Sequence, residues 1–196
     1  SEVPYLEANY TSALVFDEVE YPNDVTLNPA VGINEGDQNI ATFSAPFATV
    51  VPENTAAYVI YQTGTSSVTM EKLADAGVAI PANTGVLLYG SATSATMLPA
   101  TSETQATLTG TNKLVSTAGA AVDMTSVANA YILGKPSDAD PVAFYACSGG
   151  TLAMNKAYLS LADEGSSESA AALTIDFGNT TTALQQVATE AAMEAP

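Results

Sequence analysis

The feature that most constrains this chain is a pattern of short apolar runs that occurs twice. Ala57-Tyr58-Val59-Ile60 recurs as Ala130-Tyr131-Ile132-Leu133, 73 residues later. Ile80-Pro81-Ala82-Asn83-Thr84-Gly85-Val86-Leu87 recurs as Leu152-Ala153-Met154-Asn155-Lys156-Ala157-Tyr158-Leu159, 72 residues later. Each copy reads as an aromatic-aliphatic strand, a polar turn, a second strand, and an Asn set before a small residue and an apolar strand. Asn tolerates left-handed backbone and bonds its own main chain, so Asn83 and Asn155 are expected to be turn residues rather than ligands. Two copies make a pseudo-symmetric pair, because a solenoid needs about three or more.

The remaining runs fit the same scheme. Ala41–Val51 spaces Phe43, Phe47 and Val51 by four, on one face if extended. Tyr58–Tyr61 leads through Gly64 into Val68-Thr69-Met70 as a hairpin, and Val142–Tyr145 and Leu173–Gly178 are further short strands. Short runs between turn formers predict an all-β fold, an antiparallel β-sandwich or a barrel-like variant of it, with the internal duplication as its symmetry. Residues 92–129 are expected to add one or two short strands between the halves, and residues 163–172 an exposed loop.

Charge divides the chain. It has no His, Arg or Trp; its cations are Lys72, Lys113, Lys135 and Lys156, against 21 acids, for a formal charge of −17. Residues 1–39 carry 8 acids and residues 163–196 carry 6, neither with a cation, while 40–162 carry 7 acids and all four lysines. We therefore divide the chain into an acidic N-terminal segment (1–39; extra strands or a linker from a preceding domain), a β-domain (40–178) and a linker-like tail (179–196). The related units span about 41–98 and 114–162, and a terminal strand completes the β-domain.

The missing side chains remove chemistry. Without His there is no Ser-His-Asp or Cys-His triad and no His-ligated metal; without Arg there is no bidentate clamp on phosphate or carboxylate. So acidic a chain repels nucleic acid, and no apolar run nears the roughly 20 residues of a membrane span. The single Cys147 forms no intrachain disulfide and reads as a small buried residue.

The runs Ile80–Leu88, Ala130–Lys135, Val142–Tyr145, Asn155–Leu159 and Leu173–Gly178 together resemble the C-terminal β-region of large secreted or surface multidomain proteins of Bacteroidetes, especially gut and rumen species. The resemblance covers roughly 40–178. In such proteins a linker and a sorting segment follow the terminal Asp-Phe-Gly strand, so the chain is expected to stop at a domain edge. The resemblance implies an extracellular or cell-surface location and a neighbouring catalytic or adhesive domain. It brings no catalytic motif to any residue here.

Three kinds of candidate site remain. Sugar rings stack on aromatic faces, and Tyr58, Tyr61, Tyr89, Tyr131, Tyr145 and Tyr158 lie in the repeated units, so a polysaccharide or a host or plant glycan is the expected partner. Tyr58 and Tyr61 should point to opposite faces, as should Phe144 and Tyr145, leaving one of each pair in the core. The absence of Trp weighs against a dedicated sugar platform. No cofactor is expected; Ca²⁺ is the one metal the residues could hold, through Asp138 and Asp140 in the turn Ser137–Asp140, with Asn34–Asn39 as a second acidic turn. The grouped acids Asp17, Glu18 and Glu20 do not define the two facing carboxyls, roughly 5–10 Å apart, that glycosidases need. The expected function is a non-catalytic accessory domain that binds carbohydrate through exposed Tyr. A structural spacer or adhesion module is the alternative, and a two-carboxylate glycoside hydrolase comes last.

Overall fold

The computed structural model describes residues 13–16, 19–33, 37–164 and 170–177. Ten strands form its main sheet: β1 (Asn28–Pro29), β2 (Asn39–Phe43), β3 (Thr55–Thr63), β4 (Ser67–Ala74), β5 (Val86–Gly90), β6 (Leu114–Ser116), β7 (Ala130–Gly134), β8 (Ala143–Cys147), β9 (Ala157–Ser160) and β10 (Ala172–Asp176). Their spatial order is β6-β9-β7-β8-β10-β4-β3-β5-β2-β1. The fold is all-β, and the sheet curls into a half-barrel with small two- and three-stranded sheets around it.

The sequence duplication is a topological one. β2 to β5 are ordered β2-β5-β3-β4, and β6 to β9 repeat that arrangement as β6-β9-β7-β8. The registers agree as well. Leu87 faces Tyr58 as Leu159 faces Tyr131, and Val86 faces Phe43 as Tyr158 faces Val115. Outside the sheet, Thr49–Val50 pairs with Ala79–Ile80 in the first unit, and Val122–Asp123 with Thr151–Leu152 in the second. Asn83 and Asn155 have φ of 57° and 61°, the left-handed backbone their sequence position demanded. Their N–H groups donate to equivalent carbonyls, Ala45 at 2.7 Å and Thr117 at 3.2 Å.

The strand β10 joins the units. It is antiparallel to β8 and parallel to β4, the one parallel pairing among the ten described strands of the main sheet. Two units related by a pseudo-twofold axis present their equivalent strands β4 and β8 in opposite directions. A single strand between them has one direction, so it must run parallel to one and antiparallel to the other.

Across the open side of the curl the two units touch again. Ser44 donates through its N–H to the Asn155 carbonyl at 3.2 Å and through Oγ to the Lys156 carbonyl at 2.6 Å. Asn112 accepts at Oδ1 from the Ile60 and Leu114 N–H groups and donates from Nδ2 to the Gly85 carbonyl at 2.7 Å. Both ends of the sheet are blunted: β1 is two residues long and contains Pro29, and β6 folds against Gly85.

Three cores result. The largest fills the curl with Ile40, Ile60, Met70, Leu87, Leu114, Tyr131, Phe144, Leu159 and Leu173, drawn from nine of the ten strands. A second lies on the outer face of the first unit around Phe43, Val51, Val59, Val86 and Met97, and a smaller equivalent lies on the second unit around Met124, Ala130 and Tyr158. Residues 24–33 belong to this body, since Val25 and Leu27 enter the second core and Ala30 and Ile33 the first. The stretch Ala41–Val51 breaks after Phe43, and Thr49–Val50 runs on as a separate strand, yet Phe43, Phe47 and Val51 all meet in the second core. The tail 179–196 and residues 165–169 of the loop 163–172 lie outside the described residues, while Ala172 already belongs to β10.

Gly90 tests the register. A methyl group there would sit 2.1 Å from the Asn54 carbonyl oxygen, so Gly90→Ala is expected to cost about 3 kcal/mol or more. Gly119 has φ +87° and open space around it, so Gly119→Ala should cost only about 1 kcal/mol. Chemical denaturation of both variants checks this; a Gly90→Ala loss no larger than that of Gly119→Ala would contradict the pairing of β5 with β3.

Candidate functional site

The inward face of β3 and β5 carries Tyr58 and Tyr89, because their offsets from buried Ile60 and Leu87 are even. Phe177, just past β10, joins them. Tyr58 meets Tyr89 edge-on, with centroids 6.1 Å apart and an interplanar angle of 85°. Tyr58 also meets Phe177 edge-on at 5.0 Å, while Tyr89 and Phe177 are tilted by 35° at 4.5 Å. All three rings are half-buried against the central core. Burial pushes the Tyr58 hydroxyl above its ordinary value, with the Lys72 ammonium pulling the other way.

The other candidate tyrosines are dispersed. Tyr131 is buried inside the curl and donates to the Ala170 carbonyl at 3.0 Å. Tyr158, its ring on the opposite face of the sheet, is buried in the outer core of the second unit. Tyr61 packs on the outer core of the first unit and accepts from the Thr109 N–H at 3.0 Å, with Gly110 lying over its ring. Tyr145 donates to the Pro141 carbonyl at 2.7 Å, and burial raises its hydroxyl, with the Asp140 charge adding to the effect. Tyr58 and Tyr61 do face opposite sides, and Phe144 is buried while Tyr145 is half-exposed. The structure thus brings together Tyr58 and Tyr89 and scatters the remaining four.

Asp138 and Asp140 sit in the turn after β7. Asp140 accepts from the Ser137 hydroxyl at 2.7 Å, and the exposed Asp138 carboxylate lies 3.6 Å from the Lys135 ammonium. An ammonium beside the carboxylates opposes a divalent cation in that turn. Among the described residues no group of three or more His, Cys, Asp or Glu is arranged to hold a metal. Of the second acidic turn, residues 34–36 lie outside the described residues. Cys147 is half-buried, and its Sγ contacts the Gly149 carbonyl at 3.2 Å.

Two features were not singled out from sequence. Phe177 was read only as part of the terminal strand, and nothing local ties it to Tyr58 and Tyr89. A groove of about 400 Å³ lies between β1 and the β7–β8 hairpin, lined by Asn28, Pro29, Val31, Ile40, Leu133 and Lys135 among others. Its polar groups, Asn28 and Lys135, are few, and one wall comes from residues 28–40 and the other from 133–142, so no sequence window could display it.

Comparison of the chain with known protein families, curated proteins and solved structures finds no match.

One ionic contact among the described residues is structural. Glu164 takes hydrogen bonds from Lys113 and Thr63, tying the segment after β9 to the end of β3 and the start of β6. These bonds, Lys113 first, hold the Glu164 carboxyl below its ordinary value. A carboxyl lowered in the folded state adds stability above the ordinary carboxylate range and loses it as pH falls through the folded value. Both partners are partly exposed, so Glu164→Gln should cost about 0.5–1 kcal/mol at pH 7. Melts at pH 7 and near pH 3 check this: the gap to the parent should close in acid, and an equal gap at both pH values would contradict it.

Proposed function

We propose that this chain is a non-catalytic accessory module of an extracellular protein, acting as a structural spacer beside another module. The observation that carries the reading is the use to which the tyrosines are put. Four of the six candidates are committed to the fold, through the hydrogen bonds of Tyr61, Tyr131 and Tyr145 and the burial of Tyr158. The remaining two, Tyr58 and Tyr89, stand nearly perpendicular, whereas a flat sugar-stacking platform needs faces aligned along one surface. A sequence without His or Arg supports the non-catalytic half of the reading. The likeness to Bacteroidetes surface proteins supports the extracellular half.

Blunted sheet edges also suit a spacer. A module repeated along a cell surface or held between partners must not pair edge-to-edge with its neighbours, and the short β1 with its Pro29 offers little to pair with.

Carbohydrate binding is the second reading. It is favoured by the gathering of three half-buried rings, Tyr58, Tyr89 and Phe177, within 4.5–6.1 Å of one another. Affinity electrophoresis through gels containing plant and mucin polysaccharides separates the two. The spacer should migrate as in a gel without polysaccharide. Retardation that disappears in Tyr89→Ala would overturn the spacer reading in favour of sugar binding.

A further inference from the structure

The two units cover their outer faces unequally, and the duplication itself displays the missing cover. Strand register equates Phe43 with Val115, Thr49 with Val122, Val59 with Ile132, Ala74 with Cys147 and Ile80 with Leu152. In the first unit all five are buried. In the second, Val122, Ile132, Cys147 and Leu152 are half-buried and Val115 is 36% exposed.

The first face is closed by chain that follows the last duplicated strand, β5, which ends at Gly90. Ala95 and Met97 are buried in the outer core and Pro99 is buried beyond them, while Leu98 between them is 51% exposed. This is the alternation of an extended strand lying on an apolar surface. Its end adds to the small sheet, with Leu98 opposite Val50 and Pro99 opposite Thr49. The equivalent ribbon of the second unit, Val122–Asp123 with Thr151–Leu152, has no further strand on either edge among the described residues. A groove of about 350 Å³ begins at Met124, lined by Met124, Val127 and Cys147 and by the polar Thr125, Asn129 and Ser148.

We propose that the outer face of the second unit is a docking site for an extended, uncharged segment of a partner polypeptide with apolar side chains at alternate positions. The segment adds as a strand to the Val122–Asp123 edge, as Leu98–Pro99 adds to Thr49–Val50. Main-chain hydrogen bonds supply affinity, the Asp123 carbonyl keeping a second lone pair beside the bond it accepts from the Ser126 hydroxyl at 2.7 Å, and alternate side chains entering apolar depressions supply selectivity. Between residues 114 and 162 the charges are Lys135 and Lys156 against Asp123, Asp138 and Asp140, so the second unit lacks the strong negative charge of the flanks. An uncharged segment therefore docks there with little desolvation of ions. This inference is independent of the spacer reading, since a spacer and a sugar-binding module could each carry such a face.

The chain contains its own reporter, because Cys147 lies on this face and is its only cysteine. The probe is a synthetic peptide with the sequence of Thr93–Ala100, the segment that covers the first unit. Saturating peptide is expected to slow the reaction of Cys147 with a thiol reagent by about fivefold or more, since shielding lowers thiol reactivity. A peptide of the same composition in scrambled order should not. Val115→Lys and Ile132→Lys, checked for native circular dichroism, should abolish the protection; Val115 is exposed enough that its substitution spares the fold. No slowing at about 5 mM peptide, a binding energy of only about 3 kcal/mol, would overturn the proposal. So would protection that survives both substitutions. A reaction that slows with rising protein concentration in the absence of peptide would show a second copy of this chain covering the face, and would overturn it too.

Discussion

An open strand edge carries a row of unpaired backbone N–H and C=O groups, and each unit of this protein ends in one. The first unit stops at β4 and the second at β8. The strand β10 satisfies both at once, and everything else about the assembly follows from that bridge. It turns two four-stranded units into a single sheet, and it lets the sheet curl so that side chains from nine strands share one core. Because the bridge is a single directed strand between two symmetry-related edges, the sheet has to be mixed.

The curl then requires the opposite edges of the units to meet without room to spare. Gly85 and Ala157 occupy equivalent positions and face each other: a methyl group added to Gly85 would lie 3.0 Å from the Ala157 Cβ and 2.8 Å from the Leu114 carbonyl oxygen. One methyl group fits at this contact and two do not, which gives a physical reason for the symmetry to break at that pair. Asn112 knits the same seam through three main-chain hydrogen bonds. The symmetry breaks more visibly on the outer faces, where residues 24–27 and 94–99 cover the first unit and no equivalent strand among the described residues covers the second.

How much of this could be read from the sequence depends on the range of each interaction. The duplication, the strand runs, and the turn roles of Asn83 and Asn155 were legible, because they rest on spacing and on backbone preferences within a few residues. The opposite facing of Tyr58 and Tyr61 was legible for the same reason, although the pairing of their strand shifts register between Ala57 and Tyr58 and again between Ile60 and Gln62, at Tyr61 itself. The fate of the tyrosines was not. Tyr61 is covered by a segment 48 residues away, Tyr131 bonds a carbonyl 39 residues away, and Phe177 reaches Tyr58 from the other end of the domain. The alternation within Ser94–Pro99 is visible in the sequence, but the surface it covers is not, since Val50 and Thr49 lie in a separate part of the chain. Local periodicity could place a side chain on a face; only the packing of the curl decided whether that face was covered.

The central claim is the bridge, and its two unlike pairings are directly observable. Nuclear Overhauser contacts between backbone protons across β10 distinguish parallel from antiparallel neighbours. The expected result is an antiparallel set linking Leu173 with Phe144 together with a parallel set linking Ile175 with Val68. Contacts from Leu173–Asp176 to only one unit, or an antiparallel set on both sides, would contradict the account.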